Sequence, residues 1–306
     1  MIQFDFENSK NQQINLVNNT GVELFLKRED QLHPFVSGNK YRKLKYNLKE
    51  AKASGCTILL TFGGAFSNHI AAVASAGNIL GFNTIGVIRG EELQYKIESN
   101  PTLSFAKKNG MQFKFVSRAK YREKSSQLFL TELKNEFENF YLIPEGGTNA
   151  LAVKGCEEIL NKNDNDFDVV CCAVGTGGTI SGLINCLKPS LQVLGFPALK
   201  GSFLHQDISK FVTHKNWDLI TDYHFGGYAK VNSELITFIN QFKIDYNIQL
   251  DPVYTGKMMY GVLDLIQKNY FPEGSKILAI HTGGLQGIDG MNAILKKKQL
   301  PLIQVR

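Results

Sequence analysis

Short apolar runs alternate with longer segments of helical period along most of this chain. The runs fall at 57–61 (TILLT), 84–88 (TIGVI), 113–116 (FKFV) and 141–143 (YLI), and again at 168–174 (DVVCCAV), 191–196 (LQVLGF) and 276–280 (KILAI). Near-continuous apolar runs between helical stretches predict strands of a parallel sheet joined by crossover helices. The helices carry recognisable ends, such as Pro101 in a first turn and Gly110 just past the finish. Two series of runs imply two sheets, or two halves of one. No linker rich in glycine, proline and serine separates them, and the chain has no internal repeat or low-complexity tract. The longest stretch of weak periodicity, 217–230, is expected to be a loop bordering a site.

Composition narrows the class. A chain of 306 residues with 43% hydrophobic content can bury two ordinary domain cores. The N-terminal stretch lacks a basic segment followed by an apolar run, so secretion is not expected. No apolar stretch approaches the roughly 20 residues that span a bilayer. The five cysteines, Cys56, Cys156, Cys171, Cys172 and Cys186, form no CxxC pair, and their odd number suits reduced thiols, a cytoplasmic setting and no metal site. The net charge of +6 is spread along the chain, with one basic run at 296–298, and no nucleic-acid motif accompanies it. A mild positive field suits small anionic substrates.

The chemistry is carried by glycine-rich turns. GTGGT at 175–179 follows the strongest strand candidate and opens a helix, where backbone amides and a close approach make a phosphate cradle. A dinucleotide fingerprint would need glycine at position 180, which is Ile180, and no acid stands about 20 residues on, so a monophosphate fits better. A second turn, SGNKYRKL at 37–44, places Lys40 between a Gly-Asn turn and a helix start. Partial burial there lowers a lysine's pKa and makes it a Schiff-base nucleophile or proton shuttle, and Lys43, one turn on, can reach a phosphate. GGAFSNHIAA at 63–72 ends a strand in glycines and sets Ser67, Asn68 and His69 where open α/β sheets hold ligands, although helix capping accounts for one of them. EGGTN at 145–149 and HTGGL at 281–285 repeat the arrangement and could be plain topology.

Together these motifs resemble the fold-type-II pyridoxal-phosphate enzymes, in the branch of D-cysteine desulfhydrase and 1-aminocyclopropane-1-carboxylate (ACC) deaminase. The likeness runs from LFLKREDQ (24–31) through the lysine and SNH turns to DPVYTGK (251–257) and HTGG, and so covers nearly the whole chain. It implies an α/β fold of two open parallel sheets like the tryptophan synthase β subunit. A large domain would comprise 1–43 and 151–306, with a small domain, 44–150, inserted. It implies that Lys40 bonds pyridoxal 5'-phosphate covalently and that Asn68 bonds the ring's 3-hydroxyl. Ser67 and His69 would meet the substrate. Gly175, Thr176, Gly177, Gly178 and Thr179 would hold the phosphate with Lys43, and Tyr254 and Tyr228 would flank the substrate. After Tyr228 the pattern departs, with Ala229 and Lys230 replacing the usual residues.

The same resemblance bears on the reaction. Where the deaminases have a glutamate that keeps the pyridine nitrogen protonated, this chain has Thr255, which makes the ring a weaker electron sink. The desulfhydrase pattern also has histidine after Ser-Asn, as here at His69. Both favour β-elimination from D-cysteine to pyruvate, hydrogen sulfide and ammonia, with ACC deamination to 2-oxobutyrate and ammonia as the alternative. The Cα proton would go to Lys40, Tyr254 or Tyr228. A silent cofactor-binding or regulatory protein is the reading from another class. The implied partners are a small amino-acid substrate and a second copy in a homodimer, with neither nucleic acid nor membrane.

Overall fold

A computed structural model describes residues 6–16, 21–36, 38–186 and 191–305. The first residues of the N-terminal stretch and Ser37 of the lysine motif lie outside them. In chain order the elements are β1 (Asn11–Ile14), β2 (Glu23–Lys27), α1 (Asn39–Ala53), β3 (Ile58–Gly63), α2 (Asn68–Leu80), β4 (Asn83–Arg89), α3 (Pro101–Lys108) and β5 (Met111–Val116). Then come α4 (Arg118–Arg122), α5 (Gln127–Phe137), β6 (Phe140–Ile143), α6 (Ala150–Cys156), β7 (Val169–Val174), α7 (Gly178–Asn185), β8 (Gln192–Pro197) and α8 (Phe203–Ser209). The chain closes with β9 (Trp217–Leu219), α9 (Ser233–Tyr246), α10 (Thr255–Gln267), β10 (Lys276–Ile280) and α11 (Ile288–Lys297). Among the described residues no helix is long and apolar enough to cross a membrane.

The strands form two sheets, a six-stranded one ordered β1-β2-β10-β7-β8-β9 and a four-stranded one ordered β5-β4-β3-β6. Every pairing is parallel except β1 with β2. Both faces of each sheet are covered, which is why the strands read as continuous apolar runs. In β7, Val169, Cys171 and Ala173 enter one core while Val170 and Cys172 enter another. In β3, Leu59 packs on one face and Leu60 and Phe62 on the other. Cys171 and Cys172 are core residues whose thiols burial pushes up, and all five cysteines are free.

All strands of the smaller sheet fall between residues 44 and 150, the segment expected as an inserted domain. A boundary at 43/44 runs through helix α1, which packs on α6 and α7 on one side and on α2 on the other.

Strand order locates the site. In the large sheet the chain steps outward from β7 to β8 and β9, then returns to β10 on the other side of β7. In the small sheet it steps from β3 to β4 and β5, then returns to β6 beyond β3. Each sheet thus has a switch point, where loops leaving the carboxyl ends of neighbouring strands diverge and open a crevice. The four loops at those points are 64–67, 144–149, 175–177 and 281–284, which are four of the five turns singled out in the sequence, the fifth being the Lys40 turn.

Candidate active site

Lys40 is set by its neighbours in the chain and by a distant loop. Gly38 has a φ of 59°, and a Cβ there would lie 2.1 Å from the carbonyl oxygen of Thr282, so only glycine lets the turn meet the 281–284 loop. The Gly38 amide donates to the Glu29 carbonyl at 2.9 Å. The buried Glu29 carboxylate accepts two hydrogen bonds at 2.8 Å from Arg42, one turn into α1. The start of α1 is therefore clamped at both its backbone and its side chains. Lys40 Nζ donates to Asn39 Oδ1 at 2.9 Å, and Asn39 Nδ2 donates to Thr179 Oγ1 at 2.9 Å, tying the lysine turn to the start of α7.

Lys40, Lys43, Ser67, Asn68, His69, Gly175, Thr176, Gly177, Thr179, Tyr228 and Tyr254 converge on one cleft. Gly178 is not on the cleft wall, and a Cβ there would meet Thr148 Oγ1 at 2.8 Å. Thr255 is also absent from the wall. It is fully buried, its hydroxyl donates to Asp251 Oδ2 at 2.7 Å, and it accepts from the Asp251 amide at 2.9 Å. The expectation that Thr255 touches the cofactor thus meets a hydroxyl already committed to Asp251.

Electrostatics mark the cleft as an anion site. Lys43 Nζ donates to the Gly146 carbonyl at 3.0 Å, to Thr148 Oγ1 at 3.0 Å and to Thr176 Oγ1 at 3.3 Å. Among the described residues neither Lys40 nor Lys43 has a carboxylate in ion-pair range. Burial, and then the charge of Lys43, lowers the Lys40 pKa from 10.5 to about 7, and burial also lowers Lys43. Two desolvated amines beside the amides that open α7 and the hydroxyls of Thr176, Thr148 and Thr179 fit a phosphate dianion. The donor set thus suits a phosphorylated aldehyde that an amine can capture.

His69 is held in one tautomer. Thr61 Oγ1 donates to the Ile143 carbonyl at 2.8 Å, so it accepts from His69 Nε2 at 2.8 Å. The proton is on Nε2, and among the described residues the buried Nδ1 has no hydrogen-bond partner. Burial and the nearby Lys40 and Lys43 hold this imidazole well below 6.5, hence neutral. Ser67 caps α2 by accepting from the Ile70 amide at 3.3 Å, which leaves its hydroxyl proton for a ligand.

The two tyrosines stand edge to face, with ring centroids 6.3 Å apart. Burial, reinforced by the Tyr228 phenol, pushes Tyr254 well above 10, and burial raises Tyr228 too. Tyr228 rides on the 220–230 loop, and the buried Lys257 ammonium holds that loop through the carbonyls of His224 and Gly227 at 2.8 Å and Ala198 at 3.4 Å. The loop expected at 217–230 does border the cleft, after a three-residue start as β9.

Sequence reasoning missed several groups. Asp251 is 1% exposed, and its carboxylate accepts from the amides of Val253, Tyr254 and Thr255, each at 2.8 Å, and so fixes the tyrosine turn. A sequence cue existed, because an aspartate just ahead of a helix start commonly caps it. Gln286 bonds Asn68 and accepts from Thr102 at 3.1 Å, linking the two halves across the cleft, and no sequence pattern marks it. The 145–149 and 281–285 turns, left open as topology, supply Gly146, Thr282, Gly283 and Gly284 to the wall.

Comparison with known proteins gives the same picture. The sequence matches the family described as pyridoxal-phosphate dependent enzyme over residues 11–283. It is 31% identical to a putative 1-aminocyclopropane-1-carboxylate deaminase of Pyrococcus horikoshii, covering 89% of this chain and 88% of that protein. It is 32% identical to the mitochondrial bifunctional D-cysteine desulfhydrase/1-aminocyclopropane-1-carboxylate deaminase of Arabidopsis thaliana, covering 88% and 74% respectively. The structure superposes on a crystal structure described as an ACC deaminase homologue with a TM-score of 0.80 at 28% identity, over 94% of each chain.

Proposed function

The chain belongs to the pyridoxal-phosphate dependent enzymes, in the group of D-cysteine desulfhydrases and ACC deaminases, and from that premise we propose that it catalyses β-elimination on a small D-amino acid, converting D-cysteine to pyruvate, hydrogen sulfide and ammonia. The observation that carries this reading is the Lys40 amine, with a pKa of about 7, opening onto a glycine-lined anion cradle. Pyridoxal phosphate, when bound, supplies the electron sink for the Cα–H bond electrons. The 175–179 loop and Lys43 would hold its phosphate, and Asn68 would bond its ring hydroxyl. Ser67, with a hydroxyl proton to give, takes the substrate carboxylate at the start of α2, and the neutral His69 stands behind it.

The acid and base roles follow from the pKa directions. Lys40, whose pKa burial and the Lys43 charge lower to about 7, takes the Cα proton, since a base is most effective near the working pH. Tyr254 and Tyr228 keep their protons, so they act as donors, and Tyr254 protonates the departing sulfur. Thr255 is neutral and bonded to Asp251, so it gives the pyridine nitrogen no carboxylate. A weaker sink suffices for a thiolate leaving group and serves the cyclopropane ring of ACC less well. The proposed working form is a cytoplasmic homodimer.

The test is a panel of D-cysteine, L-cysteine, β-chloro-D-alanine, D-serine and ACC, scored by the 2-oxo acid released. Pyruvate from D-cysteine and β-chloro-D-alanine is expected. Formation of 2-oxobutyrate from ACC with no turnover of D-cysteine would reverse the assignment.

Cofactor loading gives a pH prediction. The apo-protein must attack the aldehyde through unprotonated Lys40, and that fraction grows as pH rises. The loading rate, followed by visible absorbance in stopped flow, should climb roughly tenfold per pH unit below about 7 and level off above it. An ordinary lysine would give a rate still climbing well into the alkaline range, and such a curve would refute the depressed pKa.

A further inference from the structure

Beyond the tyrosine pair the cleft continues into a second chamber. The two share Asn68, Tyr228, Tyr254 and Gly284. The wall of this chamber is mostly apolar, with Phe66, Val253, Pro252, Met291 and Ile294, and among the described residues Arg89 is its one cation and Asp251 its one carboxylate. Arg89 ends β4, beside the strand that carries the Ser67 turn, so its guanidinium is delivered by a carboxyl end of the small sheet. It stands over the Tyr121 ring at 5.8 Å and makes no hydrogen bond or ion pair among the described residues. Its carboxylate neighbours are already engaged. Asp251 spends both oxygens on three amides and the Thr255 hydroxyl, and Glu145 accepts from Tyr121 at 2.7 Å and pairs with Lys124 at 3.2 Å.

We propose that this chamber is the subsite for the leaving group, and that it takes amino acids whose β-substituent is an apolar thioether arm ending in a carboxylate or similar anion, bound by Arg89. A sulfhydryl or a cyclopropane ring would leave both the apolar wall and the guanidinium uncontacted. A short aliphatic arm covers the wall, and a terminal anion meets the planar fork that suits carboxylates. With S-(2-carboxyethyl)-D-cysteine, the Cα proton passes to the base. The Cβ–S bond then breaks with its electron pair on sulfur, and the sulfur is protonated to give 3-mercaptopropionate. One water then converts the remaining three-carbon fragment to pyruvate and ammonium.

This inference rests on the β-elimination reading, and the experiment separates the two. For holoenzyme, kcat/KM is measured with D-cysteine, S-(2-carboxyethyl)-D-cysteine and the uncharged S-propyl-D-cysteine. The anionic thioether should exceed the propyl one by about tenfold or more. Arg89→Gln should bring that ratio to about one, with Arg89→Lys in between. Arg89 is exposed at the end of its strand, so these variants fold. A ratio near one in the unaltered enzyme, or one that Arg89→Gln leaves unchanged, overturns the proposal. If no thioether and no D-cysteine is turned over, β-elimination itself fails. The subsite is then decided by equilibrium binding of D-2-aminoadipate against D-norleucine, read from cofactor absorbance, and equal affinities reject it.

Discussion

Replacing Lys40 with alanine is expected to abolish the covalent cofactor complex and to lower turnover by roughly 10^4-fold, the upper end of what loss of a general base costs. The effect is large because one amine has two tasks, capturing the aldehyde and carrying the Cα proton. Its pKa of about 7 suits it to both. Lys43 is directed at Gly146, Thr148 and Thr176 on the phosphate side of the cleft, His69 is neutral with Nε2 held by Thr61, and the tyrosines are pushed upward. Folding should not suffer. Lys40 is a desolvated amine bonded, among the described residues, to Asn39, so its removal relieves a burial cost, and the apo variant should melt no lower than the apo parent. Visible absorbance after reconstitution, kcat on D-cysteine and a melting curve check this together. A variant that still shows the lysine-linked band would remove the basis of the functional assignment.

Asp251→Ala should be the most damaging change outside the cofactor linkage. The carboxylate collects bonds from three amides and the Thr255 hydroxyl in a buried turn. Alanine leaves those donors without an acceptor, each at about 1–3 kcal/mol before relaxation, for a net loss of roughly 3–5 kcal/mol. In a chain of this size that is on the order of 10 °C in Tm. The turn also positions Tyr254, whose ring lies where a Cβ on Gly175 would be 3.1 Å away. The surviving folded fraction should therefore lose kcat more than KM. Asp251→Asn keeps one acceptor oxygen and should fall between. A variant with unchanged melting and kcat would show that the turn holds its shape without the carboxylate.

Reading the sequence succeeded where a residue's fate is set by its neighbours in the chain. The seven apolar runs became strands because covered sheet faces bury most of their apolar positions, fully in β7 and only in part in the edge strands β5 and β6, and the turn that brings Lys40 to the cleft was legible from Gly38 and Asn39. Three strands were not foreseen. β1 (NQQI) is an antiparallel edge with one buried residue, so it has no apolar period, and β9 is three residues at the opposite edge. β2 (ELFLK) is short, and a charged residue bounds each end. In the site, the invisible parts depend on strand order. Lys43 meets Thr148 and Thr176 across more than 100 residues. Whether the 145–149 and 281–285 turns are topology or cleft is decided by which strands sit side by side, a pairing that single-strand periodicity does not encode. Thr255 shows the converse. Its place next to Tyr254 was plain, yet a helical step turns neighbouring side chains by about 100°, which sent the hydroxyl to Asp251 instead.

Helix α1 begins at the Lys40 turn and lies wedged among α6, α7 and α2, which belong to different sheets. A displacement of one sheet relative to the other would be transmitted through this rod to Lys40 Nζ and to its distance from the 175–177 turn, so the spacing of the two halves and the position of that amine are mechanically linked.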